Sequence, residues 1–194
     1  MPDRADATRG RGRPRSADTD RRIHAAALRL LADGGPDAVT VEAVAATSGV
    51  AKTTVYRRYD DREAVLRAAL VEAMTPPSEP AGETTQQKIR WALEQTWHQM
   101  SDVLGRGGLA AILGDSSPRF TDVFRGVLTP YAEALVGLVR ADADAGELRE
   151  DLDPDLVVTL FIGAYLGELL RRGRVEDGFS ERCVDLLWRT MTRP

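Results

Sequence analysis

Between Lys52 and Tyr59 the chain carries seven side chains that can donate a hydrogen bond and no carboxylate. Lys and Arg neutralise phosphate, Thr and Tyr hydroxyls reach phosphate oxygens, and an Arg can clasp the two acceptors on a guanine edge. That is recognition chemistry, in which no covalent bond changes. Bond-making chemistry lacks its usual tools. There is no Gly-x-Ser-x-Gly, no phosphate-cradling glycine loop ending in Lys, and only two isolated histidines, His24 and His98. One cysteine, Cys183, excludes an internal disulfide and a paired-cysteine metal site, and no activating base stands near it in sequence. Glu94 and His98 are four apart, a spacing a metal could use, but no third ligand accompanies them. We therefore expect no enzyme, no cofactor and no metal.

The elements that must position this run are two short helices joined at Gly49. Thr40 is an N-cap candidate with Glu42 in the first turn, and Val41, Val44 and Ala45 face inward. Ser48-Gly49 ends the first helix, and Lys52 to Arg58 forms the second, with Val55 and Tyr59 four apart. Before them, Ile23, Ala26, Ala27, Leu30 and Leu31 mark one face of a helix starting at about Asp18 and stopped by Gly34-Gly35. After them, Asp61 caps a helix in which Val65, Leu66, Ala69 and Leu70 line one face to about Met74. Two helices meeting at a tight glycine turn are the arithmetic of a helix-turn-helix, whose second helix enters the DNA major groove.

Composition agrees. Hydrophobic residues make up 43% and charged residues 29%, enough apolar material for a core. Net charge is −4, unevenly spread: 13 basic and 11 acidic residues run up to Met74, against 13 and 19 beyond it. A polyanion partner would meet the front. Met1 to Arg15 has no apolar run of a secretory signal, and Leu156 to Leu170 is too short for a membrane span and contains Glu168. The expected location is cytoplasmic, with no membrane partner.

The chain resembles the tetracycline-repressor family of transcriptional regulators. The resemblance is carried by Ile23-x-x-Ala26-Ala27-x-x-Leu30, Gly35-x-x-x-Val39-Thr40-Val41, Val44-Ala45-x-x-Ser48-Gly49-Val50, Thr54-Val55-Tyr56-x-x-Tyr59 and Arg62-Glu63-Ala64-Val65-Leu66. Pro36 stands where the family often has an aromatic, Ala51 where a Ser commonly caps, Tyr59 for Phe and Arg62 for Lys. The resemblance implies that Thr40, Tyr56, Tyr59 and Arg62 contact phosphates. It also implies that Lys52, Thr53, Thr54 and Arg57 lie in or beside the major groove, with Arg57 able to reach guanine. Arg9, Arg11, Arg13 and Arg15 form a basic arm over residues 1–17, read as disordered and able to follow the minor groove or backbone.

The fold expected is all-α: a DNA-binding head over 18–74 with its motif at 40–59, a linker over 75–83, and a regulatory and dimerisation domain over 84–194. In the back domain, helical patterning runs through Ile89, Leu93, Trp97, Met100 and Leu104. Start signals stand at Thr129-Pro130, at Asp153-Pro154 and at Ser180-Glu181. The resemblance implies a homodimer through the last two helices, with Leu156, Leu160, Gly163, Ala164 and Gly167 allowing close approach and Val184, Leu187 and Trp188 beside them. It also implies an effector pocket, for which Trp97, Met100, Leu104, Phe120, Phe124, Tyr131 and Tyr165 are candidates, with Glu94 or His98 as polar anchors. The function expected is a repressor released from a palindromic, two-fold operator on double-stranded DNA by an unidentified small molecule. A ligand-independent DNA-binding protein or an activator with the same head is the alternative.

Overall fold

A computed structural model describes residues 13–74 and 83–192, with side chains from Ala17 onward except that of Tyr131. The described residues are helical, with no strand. The head contains α1 (Arg13–Gly34), α2 (Val41–Ser48), α3 (Lys52–Arg58) and α4 (Arg62–Ala73). The body contains α5 (Thr85–His98), α6 (Gly105–Leu113), α7 (Pro118–Asp144), α8 (Pro154–Arg172) and α9 (Phe179–Met191).

Local signals set most boundaries. Thr40 caps α2 by accepting from the Ala43 N–H (3.1 Å), and Asp61 caps α4 by accepting from the Ala64 N–H (2.7 Å). Thr84 and Gln87 close a reciprocal capping box on α5. Asp153 accepts from the N–H groups of Asp155 and Leu156 at the start of α8. Gly49 takes the left-handed turn after α2, at φ 65°. Ala51 offers α3 no side-chain cap, yet α3 forms, held by its buried Val55.

Three expectations are corrected. Helix α1 starts at Arg13, five residues before Asp18, so Arg13 to Ala17 leave the arm. Pro14 falls in the first turn, where its missing N–H would have had no helical partner anyway. The rest of the arm, 1–12, and residues 75–82 of the linker lie outside the described residues.

Thr129-Pro130 starts no helix: both lie inside the unbroken α7. Proline there removes one helical hydrogen bond and costs about 3 kcal/mol. Apolar residues on both sides, from Phe120, Val123, Phe124 and Val127 to Val136, Val139 and Ala143, are all buried, and that outweighs it. The Thr129 hydroxyl donates to the Arg125 carbonyl (2.9 Å) beside the interruption.

Finally, the α5 pattern does not run straight on to Leu104. After His98 it widens into a π-helical turn over Gln99–Leu104, which buries Gln99, Met100, Val103 and Leu104 together.

Ile23, Ala27, Leu31, Val39, Val44, Val55, Val65, Leu66, Ala69 and Leu70 form the head's interior. Head meets body where α4 packs on α7, where α1 packs on α6, and where the π-helical turn lies against both α1 and α4. The second contact is built from glycine. A Cβ on Gly107 would stand 2.3 Å from the Gly35 nitrogen and 2.5 Å from the Leu31 carbonyl oxygen, so the two backbones touch.

Candidate nucleic-acid interface

Helix α3 is held against the head by Val55, which is fully buried, while Lys52, Thr53, Tyr56 and Arg57 are exposed and Thr54 is half-buried. The exposed set is what a groove would meet. The four cations at and beyond α3 are not equivalent. Lys52 pairs with Glu42 on α2 and lies over the Tyr56 ring, 5.6 Å from its centroid. Tyr56 donates to the same Glu42 carboxylate (3.4 Å). Its hydrogen bond from Lys52 holds the Glu42 carboxyl below its ordinary range, and Glu42 in turn holds the Lys52 ammonium above its own. Arg57 pairs with no described residue. Arg62 donates to Glu63 (3.2 Å) and Asp37 (3.3 Å), and these carboxylates, Glu63 first, keep its guanidinium protonated more firmly still.

Arg58 and Tyr59 turn the other way. Arg58 donates from Nη1 to both oxygens of Asp20 on α1 (2.8 Å each), and the Tyr59 hydroxyl donates to Asp20 as well (3.1 Å). His24 meets that hydroxyl through Nε2 (2.7 Å) and Glu72 of α4 through Nδ1. Burial, with Asp20 adding to it, pushes the Tyr59 phenol up to about 12, so it stays a neutral donor at any ordinary pH. The expectation that Tyr59 reaches a phosphate is corrected: its hydroxyl is already bound inside the head, where it fixes the end of α3 on α1. Thr40, half-buried, accepts the α2 cap bond and keeps its own proton for an outside acceptor.

Residues 23–69 match the bacterial regulatory proteins of the tetR family, and residues 79–187 match the tetracyclin repressor-like C-terminal domain. The chain belongs to the tetR family. It is a DNA-binding transcriptional regulator of the helix-turn-helix type. It is 29% identical over 185 residues to the uncharacterized HTH-type transcriptional regulator YdeS of Bacillus subtilis, covering 90% of each chain. It is 30% identical over 176 residues to the uncharacterized HTH-type transcriptional regulator Rv1556 of Mycobacterium tuberculosis, covering 87% of this chain and 86% of that one. In fold it is similar to TylP, a tetR regulator from Streptomyces fradiae, at TM-score 0.74 and 24% identity over 93% of this chain and 89% of that one. A second fold match is the transcriptional regulator FadR from Bacillus subtilis, solved in complex with stearoyl-CoA. Its TM-score is 0.66 at 20% identity, covering 86% of this chain and 96% of that one.

The body contains the residues assigned from sequence to an effector pocket and a dimer face. Met100, Leu104 and Phe124 do line an apolar cavity of about 200 Å3, together with Met74, Thr96, Gln99, Leu109 and Ile112. Trp97 and Tyr165 do not. They line a separate open cleft with Glu94 and His98, where Trp97 stacks on Phe179 at 5.4 Å and donates to the Phe161 carbonyl (3.1 Å). Phe120 lines neither, being buried and stacked on Phe124 at 6.3 Å, and the Tyr131 side chain lies outside the described residues. Glu94 and His98 are therefore no anchors for the apolar cavity. Among the described residues, Gln99 and Thr96 are the polar ones that line it, and neither was singled out from the sequence.

On α8, Leu156, Leu160 and Gly163 are exposed and Ala164 and Gly167 half-buried, while Leu170 and Leu186, which the pattern did not single out, are 83% and 74% exposed. Leu187 and Trp188 are half-buried against the core. Val184 is fully buried within the protomer and is withdrawn from any outer surface. Burial pushes the Cys183 thiol up, away from the thiolate form. No helix among the described residues is long and apolar enough to cross a membrane.

Proposed function

We propose that this regulator works as a homodimeric repressor that leaves a two-fold operator when a small molecule enters its body. The head through Met74 supplies the DNA contacts and the body from Thr84 the dimer and the effector site. Lys52, Thr53, Thr54 and Arg57 read or flank base edges, while Thr40, Tyr56 and Arg62 fix the register on phosphates.

The observation that carries the release step is the position of Gln99. It lines the apolar cavity and donates through Nε2 to the carbonyl of Ala73 (3.0 Å), the last residue of α4. Met74, the next residue, lines the same cavity. Occupation of the cavity thus bears on the end of a helix whose first residue is Arg62, beside the recognition helix. Two heads bind one operator only at the right separation, so a shift of α4 lowers affinity for the pair together. The exposed apolar stripe Leu156, Leu160, Gly163 and Leu170, with half-buried Gly167 beside it, supports a partner copy across α8, because a stripe this apolar is costly to leave in water. FadR, a fold relative at 20% identity, was solved with stearoyl-CoA.

The test is operator release. A duplex enriched from a random-sequence library is titrated with the protein, and effectors are screened for displacement. A true effector weakens the operator about 5- to 150-fold. Displacement by none of a broad small-molecule library, with the operator bound tightly throughout, would leave the repressor constitutive.

A further inference from the structure

His24 joins three helices of the head through one ring. It stands on α1 next to Ile23 and one turn before Ala27, both fully buried, so its backbone is fixed in the head. Nδ1 donates to the Glu72 carboxylate in the last turn of α4, since a carboxylate can only accept. Nε2 meets the Tyr59 hydroxyl (2.7 Å), and the two rings pack edge-on with centroids 5.8 Å apart. Tyr59 in turn closes α3, its N–H donating to the Val55 carbonyl (3.0 Å). An imidazole is flat and rigid, so with both nitrogens engaged it cannot turn without losing a bond. The place of Glu72 gives this contact leverage. Only Asp60 and Asp61 separate Tyr59 from α4, whereas Glu72 lies near its far end, roughly 16 Å along the helix from Asp61. A tilt of α4 about its start therefore moves Glu72 furthest. The next residue, Ala73, accepts from Gln99 (3.0 Å), and Met74 lines the apolar cavity. Glu72, Ala73 and Met74 thus touch α1, the π-helical turn and the cavity in succession.

We infer that His24 is the positioning residue through which the last turn of α4 sets the end of α3. This deepens the release reading above, and it rests on that reading for the part played by DNA but not for the link itself. Asp20 of α1 already holds Arg58 (2.8 Å) and Tyr59 (3.1 Å), which fixes the end of α3 on α1. His24 adds α4 to that arrangement. A shift that draws Glu72 away leaves Nδ1 without its acceptor, and the ring then either turns or draws the Tyr59 hydroxyl with it. Either way the last turn of α3, which carries Arg57 and Arg58, loses part of its anchor.

The experiment uses the full chain, isotope-labelled for NMR, with no effector. Glu72→Leu removes the acceptor for Nδ1, Glu72→Gln removes the charge but keeps an acceptor, and His24→Phe keeps a ring without its nitrogens. Without DNA, Glu72→Leu should shift the backbone amide resonances of Arg57, Arg58 and Tyr59, and Glu72→Gln should leave them close to wild type. In the His24→Phe background Glu72→Leu should move them no further, because the two changes break one link. With DNA, Glu72→Leu should weaken the enriched operator about 3- to 10-fold. That is opposite in sign to the effect of losing a negative charge from the head. Melting curves run alongside separate this from a purely structural role, which lowers Tm but leaves the amides of the folded head in place. The inference is overturned if Glu72→Leu leaves the three amides unmoved, or moves them equally in the His24→Phe background. Tyr59→Phe, which removes only the hydroxyl, is the second background should His24→Phe not fold. Amides that move as expected while operator affinity stays unchanged support the link and contradict the reading of α3 as the helix that meets DNA.

Discussion

Glu42 on α2 holds Lys52 on α3 in an ion pair that spans the helix-turn-helix, and Tyr56 joins them on the same carboxylate. The free recognition surface is therefore partly neutralised by its own scaffold. If α3 meets DNA as proposed, Lys52 and Tyr56 exchange Glu42 for phosphate or base, and that carboxylate is left facing the duplex. Such an exchange would lower affinity for every sequence alike while keeping both side chains ordered before contact.

Glu42→Gln removes the competitor and one negative charge. Binding to scrambled duplex should tighten about 2- to 5-fold, the range of an exposed ion pair. The slope of log affinity against log salt should become steeper. Fluorescence anisotropy across a salt series measures both, and weaker binding would contradict the competition.

Gly163 and Gly167 face open space in the protomer: nothing lies within 4 Å of where a Cβ on either would stand. Gly163→Leu should leave the isolated protomer intact, even firmer by about 0.5–1 kcal/mol from helix propensity. If α8 meets a second copy, the same change should weaken association about ten-fold or more through overpacking. Light scattering over a concentration series, with thermal unfolding alongside, separates the two effects. Unchanged association would move the dimer contact elsewhere.

Gly107 is the contrasting case, since its Cβ would collide with backbone of α1. Gly107→Ala should cost about 2 kcal/mol or more and part α6 from α1. Gly137→Ala, on α7 with nothing within 4 Å, should be neutral or stabilising by up to about 1 kcal/mol. Thermal melts of the pair suffice. Equal Tm values would mean that the head and body do not depend on this contact.

How much of this could be read from the sequence follows from the range of each interaction. Thr40, Asp61 and Asp153 cap helices through bonds to residues two or three positions away, so their type and spacing announce the helix starts. Arg58 and Tyr59 look like outward donors locally, but Asp20, 38 and 39 positions earlier, draws them inward. Pro130 is a strong local start signal that loses to burial on both sides of it. Gln99 was hidden because its partner Ala73 is 26 positions away. Helix α3 was legible because its boundaries are local, whereas the apolar cavity was not because four helices and a π turn share it.

The central claim is that α3 reads sequence through Arg57 while residues such as Arg62 only hold the duplex. The direct measurement is a salt titration of wild type, Arg57→Ala and Arg62→Ala against the enriched operator and a scrambled duplex. Arg57→Ala should cost about 1–3 kcal/mol per half-site on the operator and little on scrambled DNA. Arg62→Ala should weaken both about equally and lower the salt slope by about one unit per head. An operator-to-scrambled ratio unchanged by Arg57→Ala would contradict the account and leave sequence reading to Lys52, Thr53 and Thr54.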